Sequence, residues 1–315
     1  MKIAFMSSDP ISLRALEFAR AEHELVCVVS NPDRPKGRGK KLSPNEVSQW
    51  ALESGAELLR PEGTPGAGVS ARIAELGAEL VIVMAYGRIL KENILGLGKY
   101  PCLNLHASIL PELRGASPVE TAIALGKTLT GVSLMAVSPE LDAGDVAAVE
   151  EVEISSEDTA RTLREKISIA AAESLRKNLP LLQEGKLRFV PQDSARATYA
   201  RKLCKEDMRL DFRAPAETVR NRVRAFEAGI FEFENCDIKI FDAEVCNAET
   251  EFCQPGKILS ADSCGLKIAC ARGAILARTL QRPCCKAMGA RDFFAGFKMR
   301  EGLVLASAEN KPLLR

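Results

Sequence analysis

Only two histidines occur in the 315 residues. One of them, His106, stands two positions after Asn104 in the apolar run "PCLNLH" (101–106). Side chains alternate along a strand, so Asn104 and His106 share one face and Leu103 and Leu105 the other. An amide that donates hydrogen bonds beside an imidazole suits a reaction that generates an oxyanion. The amide holds the oxygen, and the imidazole adds charge or a proton. A polar strand end carrying a histidine satisfied in the core has the same spacing, and both readings stay open on spacing alone. His23, in "RAEHELV", falls at a helix-to-strand turn, where no chemistry is expected. A third group that orients an imidazole is offered by "SPELDAGDVAA" (138–148), where Glu140, Asp142 and Asp145 surround a glycine turn between two expected strands. Asp-Ala-Gly turns are also ordinary surface features.

A second chemical feature is "NPDRPKGRGKKL" (31–42). Arg34, Lys36, Arg38, Lys40 and Lys41 stand there against the single acid Asp33, among two glycines and two prolines. Such a stretch is too polar to pack and reads either as a solvated turn or as an arm that grips phosphates. "MSSDP", after the first expected strand, lacks the three-glycine spacing of a dinucleotide fingerprint.

The elements that must position these residues alternate in type. "KIAFMSS" (2–8), "ELVCVVS" (24–30), "AELVIVMA" (78–85) and "PCLNLH" predict buried strands, followed by "GVSLMAVS" (131–138) and "DVAAVEEVEI" (145–154). Between them lie helical spacings at 10–21 and 43–55. The second is expected to start with Ser43 as cap, Pro44 in the first turn and Glu46 closing a capping box. A longer helix is expected after Ser156. Strands alternating with amphipathic helices predict an α/β domain on a mainly parallel sheet over 1–190. Ligands of such sheets bind beyond the strands' carboxyl ends, where Asn104 and His106 fall. A linker is expected over 191–206. From 207 to 315 a helix at 215–226 and short strand-like runs separated by turn residues predict a small β-barrel or sandwich.

Composition sets the outer limits. Lys+Arg 43 against Asp+Glu 42 leaves a net charge of +1, so no global field favours nucleic acid or membrane. The balance is local, since residues 191–315, with 21 basic and 17 acidic side chains, carry about +4 and the rest about −3. Apolar residues at 46% and charged ones at 27% are those of a globular enzyme. No apolar run is long enough for a membrane span. The ten cysteines form no Cys-x-x-Cys pair and several sit in strand-like runs, so reduced thiols, no metal and a cytoplasmic location are expected.

Beyond these local features, "NPDRPKGRGKKL", "MAYGRIL" (84–90), "NLHASILPELRG" (104–115), "LDAGD" (141–145), "SSEDTARTL" (155–163), "QDSARATYARKL" (192–203) and "PGKIL" (255–259) occur in this order. In that order and spacing they resemble the methionyl-tRNA formyltransferases along nearly the whole chain. The Asn-x-His-x-Ser-x-Leu-Pro core with a later Asp-x-Gly is similar to folate-dependent formyltransferases in general. The resemblance implies a Rossmann-like catalytic domain followed by a small OB-like β-barrel that holds tRNA. It implies 10-formyltetrahydrofolate as co-substrate and the α-amine of methionyl-initiator-tRNA as acceptor. Carried onto matching positions, Asn104 and a protonated His106 stabilise the oxyanion, and Asp142 holds His106 and helps move protons. Met84, Ala85, Tyr86, Gly87, Ile89, Leu90, Ser108, Leu110 and Pro111 are expected to line the folate site, the 84–90 loop mainly through its backbone. Arg34, Lys36, Arg38, Lys40, Lys41, Arg201 and Lys202 are expected at the tRNA, with Arg38 foremost. No metal, membrane or protein partner is implied, and a monomer is expected.

The chain departs from the family pattern at Ser7-Ser8-Asp9, where Gly-Thr-Pro is usual, at Glu112-Leu113 and at Glu227-Ala228-Gly229. The alternative acceptor for the same core is another amine, a glycinamide nucleotide or an amino sugar. The basic loop and the β-rich second domain argue for tRNA. A non-catalytic folate- or RNA-binding protein would have no need of Asn104, His106 and Asp142 together.

Overall fold

The computed structural model describes residues 1–36, 39 and 41–315, with only the backbone at Lys36. Two compact units result. The first comprises 1–116, 129–153 and 164–199, and the second 117–128, 154–163 and 200–315.

The central sheet of the first unit is built from β1 (Lys2–Met6), β2 (Glu24–Val29), β3 (Leu58–Leu59), β4 (Leu80–Val83), β5 (Leu103–His106), β6 (Leu129–Ala136) and β7 (Val146–Glu153). They form one sheet in the order β7-β6-β5-β4-β1-β2-β3. From β3 to β5 every pairing is parallel; β6 runs antiparallel to β5, and β7 to β6. The expected mainly parallel sheet is therefore present, with an antiparallel edge. β1 and β4 are almost wholly buried because helices cover both faces of a parallel sheet, which is why they read as unbroken apolar runs. The helix Leu13–Glu22 supplies Ala15, Leu16, Phe18 and Ala19 to that packing. Strand order reverses between β1 and β4, and there the segments 7–9 and 84–90 leave the carboxyl edge together.

The second helix begins later than its sequence predicts. It spans Glu46–Ser54, and Asn45, not Ser43, is its cap, with Oδ1 accepting from Ser48 N at 2.8 Å. Ser43 is instead the last residue of a short strand, Lys41–Ser43, paired with Arg34–Lys36. Extended pairing holds Ser43 away from the helix, while the Asn45 amide also ties down Ser30 Oγ at 3.0 Å and the Asn31 carbonyl at 3.3 Å.

The second unit contains β8 (Gly229–Phe233), β9 (Cys236–Ile240), β10 (Glu244–Glu251), β11 (Ile258–Asp262), β12 (Gly265–Ala269), β13 (Arg272–Ala277), β14 (Thr279–Gln281) and β15 (Met288–Gly289). The expected barrel takes the form of two antiparallel sheets, β8-β9-β14-β15 and β10-β13-β12-β11. β13 and β14 are separated only by Arg278. The amides of Arg278 and Thr279 both donate to the Asp242 carboxylate, so the chain leaves one ladder there and enters the other. One core joins both sheets to the helix Ala216–Phe226 through residues such as Val219, Phe231, Ile238, Ile268 and Phe293. Each such side chain contributes roughly 1.5–3 kcal/mol on burial.

Candidate active site

β5 ends at the residues that open the site. Leu103 and Leu105 are buried in the sheet's packing, and Asn104 and His106 share the opposite face. Asn104 is half-buried, and its amide has no hydrogen-bond partner among the described residues. His106 is buried, with both ring nitrogens facing oxygen. Nε2 lies 2.9 Å from the Leu113 carbonyl, and Nδ1 is 3.6 Å from Asp142 Oδ2.

The 107–115 loop is built to place these oxygens. The Ser133 hydroxyl on β6 donates to the Ser108 carbonyl at 2.7 Å and accepts from Leu110 N at 3.0 Å. Ser108 Oγ donates to the Glu112 carbonyl at 2.6 Å. Leu113 has φ +56°, which turns its carbonyl towards the imidazole, while its N–H is held by Thr198 Oγ1 at 2.9 Å. The peptide bond Leu110–Pro111 is cis. Asp142 stands in the turn between β6 and β7, and its Oδ2 also accepts from Gly115 N at 2.8 Å. The structure thus brings His106 and Asp142 together. Glu140 is exposed and faces the Arg114 guanidinium at 3.8 Å, and Asp145 is exposed on the far side of the turn.

The 84–90 loop leaves β4. Ala85, with φ +48°, and Gly87, with φ +74°, are exposed, and Ile89 is 76% exposed. Leu90 and Pro111 are half-buried. Asn31 fixes the loop, its Nδ2 donating to the Tyr86 carbonyl at 3.0 Å and its Oδ1 accepting from Arg88. The 84–90 loop is expected to serve mainly through its backbone, an expectation that the placement of the Met84 and Tyr86 side chains, with Ser108 and Leu110, leaves as it stands. All four are buried. Met84 and Tyr86 pack in the core, and burial also pushes the Tyr86 phenol up. The Ser108 hydroxyl is spent on its own loop.

Ser7, Ser8 and Asp9 serve the turn after β1. Ser7 Oγ is 2.6 Å from Ser12 Oγ, Ser8 Oγ accepts from Asn31 N at 2.9 Å, and Asp9 Oδ1 accepts from Ile11 N at 2.9 Å. In this way hydroxyls and a carboxylate stabilise the turn at the sheet's reversal point.

Of the cations expected at tRNA, Arg38 and Lys40 lie outside the described residues, as does the Lys36 side chain. Arg34 and Lys41 are exposed, and the acid among them, Asp33, is taken by Arg60 at 2.6 Å. Lys202 is exposed in the second unit. Arg201 runs against its expectation. Its guanidinium is 11% exposed and bound to the Asp207 carboxylate, with Nε on the Pro312 carbonyl at 2.7 Å. That pairing builds the unit and leaves little of the cation to meet a phosphate.

Arg114 and Gln192 escaped the sequence reading. Arg114 is buried at 1% exposure, and Gln192 links it to the backbone of the Asp142 turn. Neither follows a periodic pattern, and the only signal was membership of the strings "PELRG" and "QDSARATYARKL".

The sequence and the fold of the chain are both matched by known proteins. The model described as Formyl transferase matches residues 1–179, and Formyl transferase, C-terminal domain, matches 202–298. The chain belongs to the formyl transferase family. Methionyl-tRNA formyltransferase of Hydrogenovibrio crunogenus is 37% identical over 297 residues, 93% of this chain and 95% of that one. Its counterpart in Methylobacillus flagellatus is 38% identical over 303 residues, covering 94% and 96%. These full-length likenesses place the chain among the methionyl-tRNA formyltransferases. An N-formyltransferase from Helicobacter canadensis, solved with folinic acid and dTDP-3-aminofucose, shares the fold with TM-score 0.68 at 16% identity, covering 90% of this chain and 99% of that one. The methionyl-tRNA formyltransferase from Clostridium thermocellum shares it with TM-score 0.54 at 16% identity, covering 79% and 95%.

Proposed function

We propose that the protein transfers a formyl group from 10-formyltetrahydrofolate to the α-amine of methionine on initiator tRNA, with Asn104, His106 and Asp142 as the reacting constellation. The observation that carries the site assignment is the pairing of buried His106 with Asp142 beside an Asn104 amide that has no protein partner among the described residues. An unpartnered amide at a sheet's carboxyl edge is a donor held ready for a ligand oxygen. The exposed backbone at Ala85 and Gly87 supports a folate site along the 84–90 loop.

The neutral amine attacks the formyl carbon, a C–N bond forms, and the carbonyl electron pair moves onto oxygen. The Asn104 amide donates to that oxygen as its charge develops. The amine's proton is drawn towards the Asp142 carboxylate. Collapse then breaks the bond to the folate nitrogen, which takes the proton. His106 in its imidazolium form satisfies both the Leu113 carbonyl and Asp142 and adds positive charge beside the oxyanion. Arg34, Lys36, Arg38, Lys40 and Lys41 grip acceptor-stem phosphates, and Lys202 adds to the second unit's basic balance.

The test is formyl transfer by purified protein to methionyl-initiator-tRNA, compared with uncharged tRNA, free methionine and a nucleotide-linked amino sugar. Formylation of the charged tRNA alone is expected. Formylation of the amino sugar without the tRNA overturns the reading.

A further inference from the structure

The side-chain amide of Gln192 is saturated by groups around Asp142. Its Nε2 donates to the carbonyl of Asp142 at 2.9 Å and to that of Gly144 at 2.7 Å. Its Oε1 accepts from Arg114 Nε at 3.0 Å and Nη2 at 2.8 Å. Only one orientation of the amide is possible, because a guanidinium only donates and carbonyls only accept. Arg114 is itself anchored, with Nη1 on the Tyr199 hydroxyl at 3.0 Å and its backbone N–H on the Thr198 carbonyl at 2.8 Å.

The turn gripped in this way needs an outside hold. Asp142 has φ +50°, a left-handed conformation uncommon for residues with a β-carbon, though Asp adopts it more readily than most, and the bonds around the turn hold it there. In that conformation its carboxylate reaches Gly115 N and faces His106. Rotation of the 142 peptide would break the Gln192 bond and swing the carboxylate away from the imidazole.

We propose that Gln192 is a positioning residue for formyl transfer: it clamps the 142 and 144 carbonyls to the Arg114 platform and thereby holds the Asp142 carboxylate against His106. The proposal rests on the reading of Asp142 as part of the reacting constellation. Gln192 acts through Asp142 and needs no contact with either substrate.

Gln192→Glu keeps the length and the Arg114 contact but turns an acceptor towards two carbonyls, so it removes the clamp alone. The experiment measures kcat, both KM values and the melting temperature for wild type, Q192E, Asp142→Asn and the double variant, with single-turnover assays for the slow ones. Q192E is expected to lower kcat roughly 10- to 100-fold with both KM values within about twofold. On the Asp142→Asn background it is expected to cost no more than about twofold further. Gln192→Met, which lacks both polar ends, carries the same cycle should Q192E fail to fold. An equal proportional loss in both backgrounds overturns the clamp, as does a loss confined to KM or to melting temperature. Full activity in Asp142→Asn overturns the reading of Asp142 itself, and the clamp with it.

Discussion

The Leu113 carbonyl oxygen lies 2.9 Å from Nε2 of His106. A backbone carbonyl only accepts, so this ring nitrogen donates to it and the loop's own backbone sets the orientation of the ring. Nδ1 is thereby left for Asp142. His106→Ala is expected to lower turnover by on the order of a hundredfold or more, and Asn104→Ala by a similar factor through loss of an oxyanion donor. Binding of methionyl-tRNA, followed by filter retention or anisotropy, should stay within about threefold. A large binding loss in His106→Ala would mark a structural histidine.

The Asp142 turn has little room to vary. A β-carbon on Gly144 would fall 1.9 Å from the Ala136 carbonyl oxygen, so backbone must move. Gly144→Ala is expected to cost about 1–3 kcal/mol of stability and at least ~10-fold in kcat, since a shift of about 1 Å is enough to misplace a reacting group. Denaturant unfolding and steady-state kinetics check both, and unchanged kcat would show that the turn does not set the carboxylate.

Asp207 and Arg201 tie the second unit together. The Arg201 guanidinium beside it holds the Asp207 carboxyl down, to about 2 from 3.8. A carboxylate with a depressed folded value contributes stability that is present above the unfolded value and is lost as pH falls through the folded one. About 2 kcal/mol should therefore be present above pH ~4 and disappear towards pH ~2. Asp207→Asn is expected to flatten that part of the stability–pH curve. It also destabilises at neutral pH, because Arg201 and its carbonyl contacts lose their anion. An unaltered acid limb in the variant would assign the transition elsewhere.

The cysteines divide by burial. Cys27, Cys102 and Cys270 are buried, and desolvation pushes each thiol up to about 12. Cys204, Cys236, Cys253, Cys264 and Cys284 are exposed. Iodoacetamide at pH ~8 is expected to label the exposed group and reach the buried three only after denaturation. Peptide mass spectrometry reads the outcome, and rapid native labelling of Cys102 would contradict its place beside β5.

Arg38 tests the basic arm. Arg38→Ala is expected to weaken methionyl-tRNA use and to reduce the salt dependence of binding by about one phosphate contact, with folate binding unaffected. Equal tRNA kinetics over a salt series would remove the arm from the interface.

Neighbouring residues were enough to reveal much of this protein. The period of two in "PCLNLH" put Asn104 and His106 on one face of a strand, and apolar runs alternating with helical spacing predicted the parallel sheet. Both follow from local geometry, which needs no knowledge of distant chain. The Asp142 turn was visible as a carboxylate between two strands, but its pairing with His106 depends on β6 lying antiparallel beside β5. Local signals also misled where two candidates competed. Ser43 and Asn45 both suit a helix cap, and the pairing of Lys41–Ser43 with Arg34–Lys36 decided for Asn45. Arg201 is expected at the tRNA only through the resemblance of its string, and the fold sets Asp207 against its guanidinium. Gln192 acts on a carbonyl 50 positions away. An amide's hydrogen-bond partners carry no sequence period, so only the packing of the 190s segment against the Asp142 turn could assign it a task. Residue types and short spacings thus determined the chemistry available, and tertiary contacts decided which groups are free to perform it.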